Sequence, residues 1–599
     1  MAAALLVMWC RDGVDAARGE RFERVAGAFP RAVRAMPSEE LSGERYRVRT
    51  WSHPAAFAGE PATDPQAGSW LAACGNPSRP GLGDGDGALG RLLAECSADL
   101  EGTVGTLSPP FVLVHGEPDQ IHVAVDRCGL QHLYVREDPD GTVMLASSSL
   151  ALAALGCTLD ADAAAEWLGA GHFVSERTFA SEVRKVGAGE TLRLDRDGCT
   201  TLARRRAQPD PSAAGDERYR AALLAAIGAT DRGAGLGAEL TGGLDSRLVH
   251  AGRMVAGVDA LAWTIGEPGS ADLRTVARLR RAEPFEHVAV AVDGGAAEVA
   301  DRTLAMHELA DGEVNALEYA PLLWAFEQLA GRVTVSLSGA GGEIGRGYYH
   351  GAIAPDRAGG IAVDKLVGKL SGAARPAVAA LSRERFPDAL APLRGAVESV
   401  LAGSSGQAPE LRLDDFYIRA RMQRFGGRNT TTTGMFWRQA LPFFDDRVVA
   451  ATLALPPDRK RQGTALRAAI ADWTPALARV PLDSGIAVAP RTWRSPATVL
   501  RWSAAMGRKA AVRYGGRHGR RIVRAPADVA PWDAVRRSAS FRDLVGDTLL
   551  APGGARVHEV LEPAAVRTLA EGALAGAPLY PLGLLLTLEL TLRHLAGAR

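Results

Sequence analysis

Two apolar runs of this chain end alike, in a glycine-rich turn that carries an acid, and this repetition restricts the fold more than any other feature. The first is Leu240-Thr241-Gly242-Gly243-Leu244-Asp245-Ser246-Arg247. The second is Val333-Thr-Val-Ser-Leu-Ser338-Gly339-Ala340-Gly341-Gly342-Glu343. Around them the pattern predicts a helix over 216–229, a strand ending at Leu240, a helix from Ser246, a strand over 260–265 and a helix through 272–281. Strands that alternate with helices imply a parallel sheet covered on both faces, with its ligands at the carboxyl ends of the strands. In such a sheet the two turns can lie side by side.

The residue types in the first turn point to a phosphate group. Two glycines let the backbone turn tightly and bring N–H groups close to an anion. Thr241 and Ser246 add hydroxyls, and the following helix presents its positive end. Phosphate would repel Asp245 unless the acid holds a divalent cation that the phosphate also binds. Glu343 can supply a second carboxylate to that ion. The competing reading is a Gly-Gly turn with Asp245 and Ser246 as ordinary helix caps.

At 599 residues the chain exceeds one ordinary core, so two or more domains are expected. Formal net charge is zero, which points to neither nucleic acid nor a membrane surface as a bulk partner. All six cysteines lie in the first third, without a CxxC pair, and read as reduced, mostly buried thiols rather than a disulfide framework or zinc site. The apolar start at residues 1–9 lacks a basic flank and reads as a first strand. The apolar stretch Tyr580–Leu595 carries Glu589 and Arg593 and is short for a membrane span, so a buried helix is expected. The expected setting is cytoplasmic. Residues 100–194 read as short strands separated by turns, and 80–87 as a loop. The composition changes at the linker-like 204–211, dividing the chain into 1–203 and 212–599.

These motifs resemble the asparagine synthetase family. Its synthetase half has a (Ser/Thr)-Gly-Gly-x-Asp-Ser loop, matched by Thr241–Ser246, and a later Ser-Gly-x-Gly segment ending in acids, matched by Ser338–Glu343. Ser270-Ala-Asp272 is similar to the Ser-x-Asp that follows the family's adenine-binding strand, here Trp263-Thr264-Ile265. Leu441–Arg447 through Leu455–Lys460, and then Leu466-Arg467, resemble later family segments. Asp126–Gly129, Leu133-Tyr134, Leu145–Ser148, Arg177-Thr178 and Gly187–Gly189 follow its glutaminase-like domain.

The resemblance implies an Ntn-type, glutaminase-like α+β sandwich followed by a doubly wound parallel-sheet ATP-pyrophosphatase domain with a helical C-terminal part. It implies ATP and magnesium, with Asp245 and Glu343 on the metal and Ser246 in catalysis. Leu240, Thr241, Gly242, Gly243, Arg247, Thr264, Ile265, Ser338 and Gly339 would join Asp245 and Ser246 around ATP. Asp272, Arg346, Tyr348 and Lys460 are candidate substrate or phosphate contacts, although helix-cap packing accounts equally well for Arg346 and Tyr348.

The chain also departs from the family. The family's glutaminase uses a cysteine exposed as the new N-terminus. Here position 2 is Ala2, and the nearest thiol, Cys10, has no free α-amine. Ammonia from glutamine is therefore not expected. Ala340 stands where asparagine synthetases carry Glu and β-lactam synthetases Tyr, and Arg479–Gly485 lacks the family's lysine. The expected activity is an AMP- and pyrophosphate-forming ligase that closes a carboxylate onto an amine, as the macrolactam cyclases of lasso peptides do. Its partners would be a precursor peptide, a leader-binding protein and a leader protease. The alternatives are an asparagine or β-lactam synthetase-like ligase using ammonia or a small amine, and a non-catalytic scaffold. The basic segment 494–524 is either a solvated helical face or a strip that holds the peptide; it lacks the interleaved aromatics of a nucleic-acid site.

Overall fold

The computed structural model describes residues 3–53, 60–83, 85–230, 235–291, 295–353, 360–488, 503, 507, 530–551 and 554–597. The basic segment 494–524, apart from Ser503 and Gly507, lies outside the described residues, as does Ala2.

Strands are numbered in chain order. One six-stranded sheet contains β1 (Ala4–Cys10), β2 (Ser38–Ser42), β3 (Tyr46–Trp51), β8 (Tyr134–Glu137), β9 (Thr142–Ala146) and β10 (Arg184–Lys185). The second contains β4 (Ala62–Asp64), β5 (Ser69–Gly75), β6 (Phe111–Glu117), β7 (Gln120–Val125), β11 (Glu190–Asp195) and β12 (Gly198–Arg204). Every pairing in both is antiparallel.

Alternation along the strands explains the layers. Leu5, Val7 and Trp9 of β1 meet Trp70, Ala72 and Cys74 of β5 and Val112 and Val114 of β6 in one core between the sheets. The other face of β1, Leu6, Met8 and Cys10, packs on Phe22 and Val25 of the helix Ala16–Gly27. Leu71, Ala73 and Leu113 meet the helix Asp86–Gly105 through Leu89, Leu92 and Cys96. The result is a four-layer sandwich of helix, two sheets and helix, in keeping with the expected α+β sandwich. The first strand and the strand pairs in 111–146 form as the sequence implies. The loop at 80–87 is shorter than expected, because the helix already begins at Asp86.

The parallel sheet consists of β13 (Leu236–Glu239), β14 (Leu261–Ile265), β15 (His287–Val290), β16 (Val335–Leu337) and β17 (Arg438–Ala440), in the order β15-β14-β13-β16-β17. All its pairings are parallel. The order reverses between β13 and β16, which is a doubly wound arrangement with its switch point there. The helices Asp216–Gly228, Asp245–Val255 and Thr464–Trp473 share a core with it. The C-terminal helix Leu579–Gly597 is buried, as expected. Its internal Glu589 accepts a hydrogen bond from the Val557 N–H (2.7 Å) and pairs with Arg593 (2.7 Å). Among the described residues no helix is long and apolar enough to cross a membrane.

A buried polar network joins the sandwich to the rest. Glu313 Oε1 pairs with Arg424 at 2.8 Å, and its Oε2 lies 3.6 Å from Arg428, which donates to the Tyr134 hydroxyl at 2.6 Å. Asp311 accepts from the hydroxyls of Ser148 (2.6 Å) and Ser149 (2.7 Å), at the start of the helix Ser149–Ala153. Burial opposes ionisation of Glu313, but Arg424, His132 and Arg428 outweigh it and hold the carboxyl far below its usual range. Replacing Glu313 by Ala leaves the buried Arg424 without its counter-charge and Arg428 with Asp311 alone, at 3.4 Å. We expect a loss of about 3–5 kcal/mol, read as a lower midpoint in urea unfolding. A change near zero would show that the network adds little. The sign with pH follows from the lowered value. The stabilisation is present above the unfolded carboxyl pKa of about 4.3 and is lost as pH falls towards the folded one.

Candidate active site

The two glycine-rich turns follow β13 and β16, the strands on either side of the switch point, so the fold brings them together. Their contact depends on missing side chains. A Cβ on Gly339 would stand 2.6 Å from the Ser246 nitrogen, and one on Gly342 would stand 2.6 Å from Asp245 Cβ. Only glycine at these positions lets the second turn lie on the first turn of the helix Asp245–Val255.

The first turn is closed by its own hydroxyls. Ser246 Oγ accepts from the Thr241 N–H (3.1 Å) and lies 2.9 Å from Thr241 Oγ1, which accepts from the Gly243 N–H (3.1 Å). Asp272, from the helix Ala271–Ala282 capped by Ser270, accepts from the Gly242 N–H at 2.7 Å. Asp272 therefore fastens the loop. The Gly242 N–H that the sequence leaves free for an anion is already bonded.

Asp245 and Glu343 come together as expected. Arg346 donates to Asp245 Oδ2 at 2.6 Å and lies 3.5 Å from Glu343 Oε1, so one guanidinium bridges both acids. Tyr417 donates its hydroxyl to Glu343 Oε2 at 2.7 Å. Burial pushes the Asp245 carboxyl up to about 7, helped by Glu343 and opposed by Arg346. Asp245 Oδ1 is buried with no hydrogen-bond partner.

Two hard oxygen donors, one unsatisfied, fit a magnesium ion that takes its remaining ligands from phosphate and water. No group of three or more His, Cys, Asp or Glu residues forms a closed metal cage among the described residues. A shared Mg–nucleotide site needs none.

The site opens into a cavity of about 1200 Å³ lined by Thr241, Asp245, Ser246, Glu343, Arg346 and Tyr348, among others. Gly243, Ser338 and Gly339 line it too. A smaller cavity of about 310 Å³ adjoins it, lined by Leu240, Trp263, Thr264, Ile265, Phe326 and Phe425, among others. In the wall of the smaller cavity Thr264 donates to the Leu240 carbonyl at 2.5 Å.

Two expected contacts lie elsewhere. Arg247 is fully buried and donates to the carbonyls of Gly242 (3.4 Å), Pro481 (3.2 Å) and Val480. It braces the loop from behind, because its helix turns the side chain away from the cavity. Lys460 is buried against Asp414 (2.6 Å), which also meets His350 at 3.0 Å, and contacts neither cavity. His172, unassigned from sequence, is buried, and burial lowers it to about 3, which suits a neutral structural group.

Some site residues were not assigned from sequence. Arg467 lines the larger cavity and Tyr417 the smaller. Glu239 lines both and accepts from Ser338 Oγ at 2.8 Å. Its signal was present, an acid interrupting the apolar run that ends at Leu240. Tyr417 had none, being 74 residues from Glu343 in the chain.

Residues 218–479 match the family model described as asparagine synthase. The matched part, less than half of the chain, contains both turns and supports an ATP-dependent, amide-forming ligase. No curated protein matches the chain. Among solved structures, the glutamine phosphoribosylpyrophosphate amidotransferase of B. subtilis, complexed with ADP and GMP, aligns at 12% identity with a TM-score of 0.24. The alignment covers 39% of this chain and 60% of that one. An allosteric regulatory enzyme of purine biosynthesis aligns at 11% identity and a TM-score of 0.26, over 48% of this chain and 80% of its own. At such scores the likeness bears no weight for fold or function.

Asp245→Asn should weaken magnesium-dependent nucleotide binding by roughly tenfold or more, the size of one charge-assisted contact, with the circular dichroism spectrum unchanged. Glu343→Gln should act in the same direction. Titration with Mg–ATP measures both, and unchanged affinity would remove these acids from the metal site. Gly342→Ala should also weaken binding, by pushing the Asp245 turn away.

Proposed function

We propose that this protein activates a carboxylate as its acyl-adenylate and closes it onto an amine of the same molecule, forming a macrolactam. The observation that carries the reading is the pair Asp245 and Glu343, set together at the switch point of the parallel sheet within the asparagine synthase match. Asp245 and Glu343 would hold magnesium, which when bound neutralises phosphate charge. The turn Thr241–Ser246 and Arg346 orient the phosphates. A carboxylate oxygen attacks the α-phosphorus, the bond to the β-phosphate oxygen breaks, and pyrophosphate leaves. The amine then forms the C–N bond and AMP departs. A substrate bound folded brings the amine to an effective concentration that well-oriented systems raise to roughly 10⁵ M or more.

The sandwich domain supports an amine that does not come from glutamine. Cys10 ends β1 fully buried, and burial pushes its thiol up to about 11, where it is not a thiolate nucleophile. The interface towards the synthetase half is filled by the network around Glu313. On this reading the domain is kept for docking. The substrate would be a precursor peptide, with a leader-binding protein and a leader protease as partners and the cytoplasm as the setting. The rival is a ligase using ammonia or a small amine.

Peptide-dependent ATP–pyrophosphate exchange tests the first half-reaction, and its absence with every peptide tried would refute adenylation. Cys10→Ala should leave the ligase unchanged, and glutamine should not support it. Glutamate release by the wild type, lost in that variant, would overturn the reading of the sandwich domain. Ammonium in moderate excess should leave a ring product, lighter by one water, as the main species. A side-chain amide dominating at low ammonium would favour the rival.

A further inference from the structure

Amide formation sheds a proton from the amine, and Ala340, which lines both cavities, carries only a methyl group. The neighbouring strand supplies a carboxyl. Glu239 is the last residue of β13, which pairs with β16 in the sheet. Its Oε2 accepts from Ser338 Oγ at 2.8 Å, and Ser338 Oγ accepts from the Ala340 N–H at 3.3 Å. Glu239 thus reaches the turn at the position Ala340 leaves open, on the boundary between the two cavities.

The geometry points to Glu239 as the general base of the amide-forming step, an inference that rests on the adenylating-ligase reading. The nitrogen lone pair forms the C–N bond. The bond from the acyl carbon to the phosphate oxygen breaks, and AMP leaves with that electron pair. The N–H proton passes to the Glu239 carboxylate and from there to water.

The other candidates are engaged. Asp245 and Glu343 share Arg346, and Asp272 holds the Gly242 N–H. The Tyr417 phenol donates to Glu343, and burial together with the Glu343 charge pushes it well above its ordinary value, so it is a weak proton acceptor. Glu239 has a neutral hydroxyl as its partner and makes no ion pair among the described residues. Burial pushes its carboxyl up to about 7, with the Ser338 hydrogen bond pulling the other way. A base poised there is effective near neutral pH. The charged groups lining the same cavities are Asp245, Glu343, Arg346, Arg467, Asp483 and Arg421.

The test compares full-length wild type with Glu239→Gln on synthetic linear peptides, each with a free N-terminal amine and one internal Asp or Glu. Glu239→Gln should keep ATP–pyrophosphate exchange and the KM for ATP, while ring formation falls by roughly 10²–10⁴-fold. The wild-type ring-closing rate should fall as pH drops below about 7, where the base is protonated, and the residual rate of the variant should lose that limb. Glu239→Asp should recover part of the rate. Unchanged ring formation, or loss of exchange in parallel with it, would overturn the assignment, the latter making Glu239 a nucleotide contact. Absence of exchange in the wild type would instead refute adenylation itself, and the base with it.

Discussion

The site depends on one close approach, that of the turn after β16 onto the first helical turn after β13. Gly339 and Gly342 meet the backbone of Ser246 and the side chain of Asp245 at distances no other residue allows. That contact places two carboxylates in one small, partly buried volume, where the Glu343 charge adds to the effect of burial on Asp245. Burial is the main cause of the raised Asp245 carboxyl, and Arg346 is the counterweight. A divalent cation with phosphate would relieve the same repulsion more fully. The arrangement is therefore matched to a cation that arrives with its nucleotide, and it would be poorly suited to a metal held permanently.

A second constraint acts at long range. The parallel sheet does not stand apart from the antiparallel sandwich, because Glu313, Arg424 and Arg428 are buried against His132 and Tyr134. Buried charges of this kind stabilise only when every partner is present. The sandwich domain can thus be required without any catalysis of its own, since the helix carrying Tyr417 and Arg421 also carries Arg424. The docking that satisfies Arg424 holds the far wall of the active site.

What was legible in the sequence follows from which interactions are local. Both turns, their acids and the alternation of strand and helix were visible, because each depends on a few consecutive residues. The four-layer sandwich was visible as strands and as a resemblance, but its sheet order was not. Arg247 was assigned to the phosphates from its place beside the first turn, and Lys460 from the resemblance of its segment. In the fold Arg247 faces backbone carbonyls and Lys460 faces Asp414. Asp272 was legible as a site residue, but its bond to the Gly242 N–H was not. Tyr417 and the Glu313 network could not be seen, since their partners lie far away in the chain.

Separating the cation site from the base is itself a requirement of the chemistry. A carboxylate that binds magnesium or an arginine loses basicity, so a residue committed to the cation is a poor proton acceptor for the amine. A base must lie close enough to touch the amine yet remain outside that cluster of charge. The end of β13 offers such a place. It is one strand over from the turn carrying Glu343, and it is held by a hydroxyl instead of a cation. With Ala340 small, the space in front of Glu239 is left for substrate.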